Sequence, residues 1–350
     1  METILVLLHT ESDGSLARPA LEAMGAARGL VDQLGGSSLV VGLAGGETQA
    51  AASLLGGCGA TRLLTVSGAE FAPSRYASDA AAAEAICRAA GATVVIAPGT
   101  SGWLRALPGV AQRLNGRVDT HVTGVAAEQG APAVSRWYYR QRMEASLTRR
   151  QRPWIILVDP GCHTPWQGAG SPLAPERLSV ELPATCRRTT VSGLRAPAAD
   201  QQTIRPDADL LFVAGAGWTK KQADGEVHGG EAADLILGFL RLTQASLGGS
   251  KSLVDLTGEG QAVLPFMTHL NQVGQTGATP RHPKGLATCC HGEEPHVVGW
   301  RFITERRAVN LDPNCGWARG KADVLYVADA FAVMRRVNTM LAERAANPKA

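Results

Sequence analysis

The sequence predicts an α/β protein with an N-terminal parallel-sheet α/β domain and a C-terminal doubly wound α/β domain. Three observations carry this reading. A chain of 350 residues is too long for one small core. Short apolar, β-branched runs alternate with alanine-rich stretches of helical length. A segment over 164–207, rich in Pro, Ala, Arg and Ser, shows no sustained period and interrupts that alternation. The expected organisation is therefore a first domain over 1–165, a connector over 166–208 and a second domain over 209–345.

In the first domain, strands are expected at Ile4–His9, Ser38–Leu43, Arg62–Val66 and Thr93–Ala97. Helices are expected at Ala17–Leu34, Thr48–Leu55, Ala77–Ala90 and Leu104–Leu114. Strands separated by helices imply βαβ units and parallel pairing. The texture changes near Asp119. Val122–Ala126, Val134–Tyr139, Ala145–Thr148 and Trp154–Val158 read as strands with no long helix between them, which predicts an antiparallel meander at the sheet edge. In the second domain, Leu210–Ala214 is a strand followed by a turn at Gly215-Ala216-Gly217. Gly230–Leu242 is an amphipathic helix. Strands follow at Leu286–Cys289, Arg307–Asn310 and Val324–Val327, and a helix at Ala330–Leu341 closes the chain.

Composition excludes several functions. A net charge of +3 with 19% charged residues makes no global case for nucleic acid. Arg136–Arg142 and Arg149–Arg152 mix bases with aromatics, but they read better as the two faces of an edge hairpin than as a nucleic-acid stripe. No stretch approaches the ~20 apolar residues of a membrane span, so an integral membrane protein is not expected. Ile4–Leu8 is preceded by Glu2 and reads as a strand rather than a signal peptide. The 7 cysteines are odd in number and irregular in spacing, which fits a reducing cytoplasm. Cys289, Cys290, His291 and His296 lack the spacing of a metal site. No nucleophile elbow or Walker loop occurs.

The fragment Gln272-Val273-Gly274-Gln275-Thr276-Gly277 combines conformationally free glycines with short polar donors. Such a loop suits a phosphate or a heterocycle rim. On composition alone, a polar surface turn accounts for it more economically. The turn after Leu210–Ala214 departs from a full Gly-x-Gly-x-x-Gly fingerprint, which disfavours an NAD-dependent oxidoreductase.

The hexapeptide nevertheless resembles the FAD signature of the electron transfer flavoprotein alpha family, and it has company in the right order. Ser250-Lys251-Ser252-Leu253-Val254-Asp255 resembles that family's Ser-Arg-Ala-Ala-Val-Asp. Cys290–Gly299 is similar to its Ile-Ser-Gly-Ala-Ile-Gln-His-Leu-Ala-Gly and sets His296 on the family histidine. Asn310-Leu311-Asp312-Pro313 resembles Asn-Lys-Asp-Pro, and Ala322-Asp323 with Val327-Ala328-Asp329 match two Ala-Asp steps. The order and rough spacing agree over residues 209–345. Ala97–Leu114 resembles the family's first domain more loosely.

The resemblance implies that the second domain binds FAD. Thr276 is then expected near flavin N5 and His296 at N1 and O2, where a donor stabilises anionic reduced flavin. Ser250, Gln272, Val273, Gly274 and Gln275 are expected to line the flavin and phosphates, with His291 and Gly292 in the same site. Asn310 and Asp329 are expected on the ribityl–pyrophosphate or adenosine part. The family arginine above the flavin is Lys251 here, which lacks the planar fork. His291 replaces a serine, Glu293 and Glu294 enter, and Gly217 stands where the Gly-Gly-Arg-Gly turn has its arginine. Less positive charge is expected to lower the potential.

By resemblance the chain is an electron carrier rather than a complete enzyme. It would pair with a beta-like subunit, in which AMP can bind. Electrons would arrive from a flavin dehydrogenase and leave to a quinone reductase. A structural or regulatory subunit with a decayed FAD site is the alternative.

Overall fold

A computed structural model describes the chain except residues 139–142, 169–172, 194–203, 206–207, 257–263, 275–277, 279, 289–302, 316–317, 319–321 and 348–350. The chain divides into two compact units, Met1–Leu194 and Arg195–Ala350.

The first unit is built on β1 (Thr3–His9), β2 (Ser38–Gly45), β3 (Arg62–Ser67) and β4 (Val94–Pro98). Between them run α1 (Arg18–Leu34), α2 (Gln49–Leu54) and α3 (Tyr76–Ala90), and α4 (Ser101–Arg113) follows β4. The chain then forms β5 (Arg117–Glu128), β6 (Ala131–Tyr138), β7 (Met143–Leu147), β8 (Trp154–Val158) and β9 (Pro175–Arg177). Among the described residues these make a nine-stranded sheet in the order β7-β6-β5-β8-β4-β1-β2-β3-β9. The period of two in β1 sorts its side chains cleanly. Ile4, Val6 and Leu8 pack with Ala23, Met24 and Ala27 of α1. Leu5 and Leu7 pack with Ala83 and Ile86 of α3 and Leu107 of α4. Helices on both faces explain why β4, β8 and the Ile4–Leu8 stretch of β1 are continuously apolar.

The expected antiparallel meander holds for β5, β6 and β7 but not for Trp154–Val158. That strand, β8, inserts between β4 and β5 and runs parallel to both. Its side chains give the reason. Trp154, Ile156 and Val158 enter the core on the α1 face, while Ile155 and Leu157 enter the core on the opposite face. An edge position would leave one of those apolar sets in water. Asp119 fastens this arrangement. Buried beside β8, it accepts hydrogen bonds from Trp154 Nε1 (2.9 Å) and Arg149 Nε (2.8 Å), with Arg136 Nη1 at 3.3 Å.

Part of the stretch that composition assigns to the connector packs on this unit. β9 pairs parallel with β3, and Leu178, Val180 and Leu182 lie against the α3–α4 core. Arg62 grips Glu176 through Nε (2.9 Å) and Nη2 (2.7 Å). The alternation of those apolar residues is the strand signal beneath the Pro- and Ala-rich composition.

The second unit carries β10 (Leu210–Ala214), α5 (Gly229–Thr243), β11 (Ser246–Gly249), α6 (Lys251–Asp255), β12 (Lys284–Thr288), β13 (Glu305–Asn310), β14 (Val324–Val327) and α7 (Ala330–Ala346). Among the described residues its sheet is five-stranded, parallel throughout, in the order β11-β10-β12-β13-β14. Helices α5 and α7 cover one face through Ile236, Phe239, Phe331 and Met334. The first crossover runs from β10 to β11 and the next returns past β10 to β12. The sheet therefore switches direction between β10 and β12, where open α/β sheets bind ligands outside the carboxyl ends of their strands.

Candidate functional site

Strand register brings the carboxyl ends of the second sheet level. Ala214 lies beside Gly249 and Thr288, Thr288 beside Val309, and Asn310 beside Val327. Everything that follows these positions in sequence emerges at one edge. Ser250, the loop Gln272–Gly274, Asn310 and Asp329 are thus gathered there, although 79 residues separate the first from the last.

Each is fixed by local chemistry. Ser250 is buried and opens α6, its Oγ accepting from Leu253 N at 3.3 Å while its own N–H bonds Ala214 O. Serine suits such a cap because its short side chain reaches an amide that the helix leaves unpaired. Lys251 turns outward, and its Nζ pairs with Asp255 Oδ2 at 3.3 Å. The ammonium expected above a flavin is thus engaged with its own helix.

Gln272 and Val273 run beside the end of β11. Val273 N donates to Gly249 O at 3.0 Å, and a β-bridge joins Gly249 to Gln272. This close approach depends on Gly248, where an added Cβ would stand 2.5 Å from Val273 Cγ2. Gln272 Nε2 donates to Gly274 O at 3.2 Å. Gly274 itself has φ +80°, a conformation that costs other residues about 1–2 kcal/mol. Its N–H donates to Ala278 O at 2.8 Å. Gln275, Thr276, His291, Gly292 and His296 lie outside the described residues, as do Cys289, Cys290, Glu293 and Glu294.

Asn310 and Asp329 line a shallow cleft together with Gln222, Val309, Leu311, Ala328 and Ala330. Asn310 is 2% exposed, and its Oδ1 accepts from Asp312 N at 3.1 Å. Its Nδ2 is buried and has no hydrogen-bond partner among the described residues. An unpaired buried amide costs about 1–3 kcal/mol, so this donor is suited to an acceptor that the described residues do not supply. Asp329 caps α7, Oδ1 accepting from Ala332 N at 2.7 Å. That leaves Oδ2 for a hydroxyl donor. The N-terminal amides of the long helix α7 favour negative charge nearby. A donor amide, a carboxylate and a helix N-terminus suit the hydroxylated, phosphorylated half of a dinucleotide, so the described residues fit FAD.

Sequence reasoning passed over Trp218, Thr288 and Gln222. Trp218 is fully buried at the switch point, where its Nε1 donates to Thr288 Oγ1 at 2.8 Å. Thr288 Oγ1 donates in turn to Val213 O at 3.2 Å. The indole also packs on Phe331 in the first turn of α7, with ring centroids 4.6 Å apart. A large aromatic directly after a strand was the available signal. Gln222 sits in a polar loop and gave none.

In the first unit, burial raises the carboxyl of Asp79, which has His9 Nε2 at 3.9 Å and Arg105 Nη2 at 3.5 Å. Among the described residues, no group of three or more His, Cys, Asp and Glu is placed to hold a metal ion. Among them, too, no helix is long and apolar enough to cross a membrane.

No curated protein matches the chain. The sequence model of the electron transfer flavoprotein domain matches residues 4–183, which is just over half of the 350 residues. The matched span lies within the first unit and includes none of the candidate cofactor residues. On this match, together with one mostly parallel and one parallel α/β sheet, the chain belongs to the electron transfer flavoprotein family, and its features are consistent with the alpha subunit.

Proposed function

We propose that this chain is an electron transfer flavoprotein alpha-like subunit that holds FAD on its second unit. One observation carries the reading. Asn310 and Asp329 line a cleft at the carboxyl edge of the second sheet, the edge that also carries Ser250 and Gln272–Gly274, and Asn310 Nδ2 is buried there without a partner among the described residues. FAD, when bound, supplies electron-transfer chemistry, and the chain contributes binding, orientation and electrostatics. Asn310 Nδ2 and Asp329 Oδ2 would hold the ribityl–pyrophosphate or adenosine part. Ser250 and Gln272–Gln275 would line the flavin and phosphates. Thr276 would donate near N5, and His296, beside His291 and Gly292, would donate at N1 and O2.

The proposed assembly is a cytoplasmic heterodimer with a beta-like subunit, in which AMP binds. A flavin dehydrogenase supplies electrons, and a quinone reductase accepts them. A structural or regulatory subunit with a decayed site is favoured by one observation: Lys251 is engaged with Asp255 and offers no guanidinium. The visible absorption spectrum of the chain purified with its beta-like partner separates these readings. Flavin bands support the carrier. A colourless pair that fails to take up added FAD supports the decayed site, and turnover with NADH alone would point to an oxidoreductase.

A further inference from the structure

Besides β13 and its flanks, two segments far apart in the chain line the cleft. Gln222 comes from the segment that follows β10, and Asp329 and Ala330 come from the start of α7. Among the described residues no hydrogen bond joins Gln222 to Asp329. Their spacing must therefore be set by something behind the lining.

Trp218 stands there. It lies in the turn Ala216–Thr219, and its indole is fully buried. Nε1 donates to Thr288 Oγ1 at the end of β12, at 2.8 Å. The ring packs on Phe331, which directly follows Ala330, with centroids 4.6 Å apart and planes at 55°. Gln222 is fastened to the same turn, since its Nε2 donates to Gly217 O at 3.0 Å. Farther along the same segment, His228 meets Phe331 edge-on, with centroids 6.3 Å apart and planes at 72°. His228 Nε2 lies 2.7 Å from Asp224 Oδ2, which braces that part of the loop. The stretch that carries Gln222 thus clasps Phe331 with two rings. An indole tied both through its nitrogen and through its face has few positions to choose from, so it transmits the place of the sheet to the first turn of α7. A binding site is only as precise as the packing that locks its side chains.

We propose that Trp218 is a positioning residue for this cleft: through Phe331 and the Gly217–Gln222 bond it fixes the start of α7 relative to Gln222, and so sets the fit of a ligand that meets Asn310 and Asp329. The identity of that ligand as FAD rests on the function proposed above, whereas the mechanical link does not.

Two measurements on the full chain test it. The first is hydrogen exchange of the ligand-free protein. Trp218→Leu keeps apolar bulk but has neither the indole bond nor a ring for Phe331. Exchange should quicken about tenfold over 222–226 and 329–333 and stay as in wild type in β11 and β13. Unchanged exchange in those two segments, or an equal rise throughout the second unit, overturns the proposal. The second is equilibrium titration with FAD. Affinity should weaken about fivefold in Trp218→Leu and stay within about twofold of wild type in Trp218→Phe, which returns a ring to Phe331. A lower unfolding midpoint with unchanged FAD affinity in both variants would make Trp218 a core residue only and overturn the proposal. Should Trp218→Leu fail to fold, Phe331→Leu loosens the same contact from the side of α7 and carries the same expectations. If wild type takes up no FAD, the FAD reading fails, and the exchange of the ligand-free chain decides the positioning role alone.

Discussion

The two units are built on sheets that are mostly parallel in the first and wholly parallel among the described residues of the second, and a buried polar group in each is used differently. In the first, Asp119 is buried and satisfied by Arg149 and Trp154, and strands β4 and β8 are buried along their whole length. In the second, Asn310 is as deeply buried but leaves a donor unpaired, and the edge strand β14 exposes Val324, Tyr326 and Val327. The packing differs in the same sense. Apolar cores of similar extent lie on both faces of the first sheet, whereas the described core on the far face of the second is a small group around Leu211, Val213 and Ala308. A buried polar group that is fully paired adds to stability, while one left unpaired lowers it and is kept where a ligand completes it. The first unit also holds buried nitrogens at Trp103, Arg136 and His163 that are unpaired among the described residues, so the contrast is between Asp119, satisfied within its own unit, and Asn310, whose spare donor lines the cleft of the proposed site.

The largest expected effect lies in the first unit. Trp154→Ala removes a buried indole from the sheet interior and one of the partners of Asp119. It should cost about 3–5 kcal/mol, read as a lower denaturation midpoint with FAD uptake by the second unit retained. Loss of both together would break the separation of the units.

Acid should sharpen the contrast next. Burial alone would raise the carboxyl of Asp119, but hydrogen bonds from Arg149 and Trp154, with the charge of Arg136, outweigh it and hold the group below its ordinary value. A lowered folded-state value gives stability that is present above the unfolded value of about 3.9 and is lost as pH falls through the folded one. Thermal unfolding of wild type should therefore weaken below about pH 4. Asp119→Asn should be less stable at neutral pH by about 2 kcal/mol and flatter across that acid window. An equal acid response in wild type and variant would remove Asp119 from this role.

Smaller effects are expected in the second unit, and they should appear in binding. His296→Ala should shift flavin affinity and potential more than Lys251→Ala does. The exposed Lys251–Asp255 pair is worth no more than about 1 kcal/mol, and its ammonium is directed at its own helix. The reverse order would restore Lys251 as the main flavin contact. Gly274→Ala, at φ +80°, should cost about 1 kcal/mol and loosen the loop beside Gly249. An unchanged FAD affinity and melting temperature in that variant would show that the loop has no bearing on the site.

Much of the fold is legible in the sequence because local pattern and burial agree. Ile4–Leu8, Val94–Ala97 and Leu210–Ala214 are continuous apolar runs, as strands covered on both faces require. The place of Trp154–Val158 was not legible, since its non-local insertion between β4 and β5 depends on partners far away in the chain. Leu178, Val180 and Leu182 were masked by the prolines around them. In the site, the free backbone of Gly274 was readable from composition, whereas Asp329 was marked only by the family resemblance and its cap role came from the structure. The inward-facing Gln222 was not legible, because a polar loop residue carries no mark of the cleft that it lines.

The central claim is that the second unit is finished by a dinucleotide that pairs with Asn310. Equilibrium titration of Asn310→Ala with FAD, read beside its unfolding curve, tests this most directly. The account predicts an affinity weakened roughly fivefold, about 1 kcal/mol, with the stability of the FAD-free protein changed by no more than the roughly 1 kcal/mol of the Oδ1 bond to Asp312 N, since Nδ2 has no partner among the described residues. Unchanged FAD affinity, or a loss of stability comparable to that of Trp154→Ala, would contradict it.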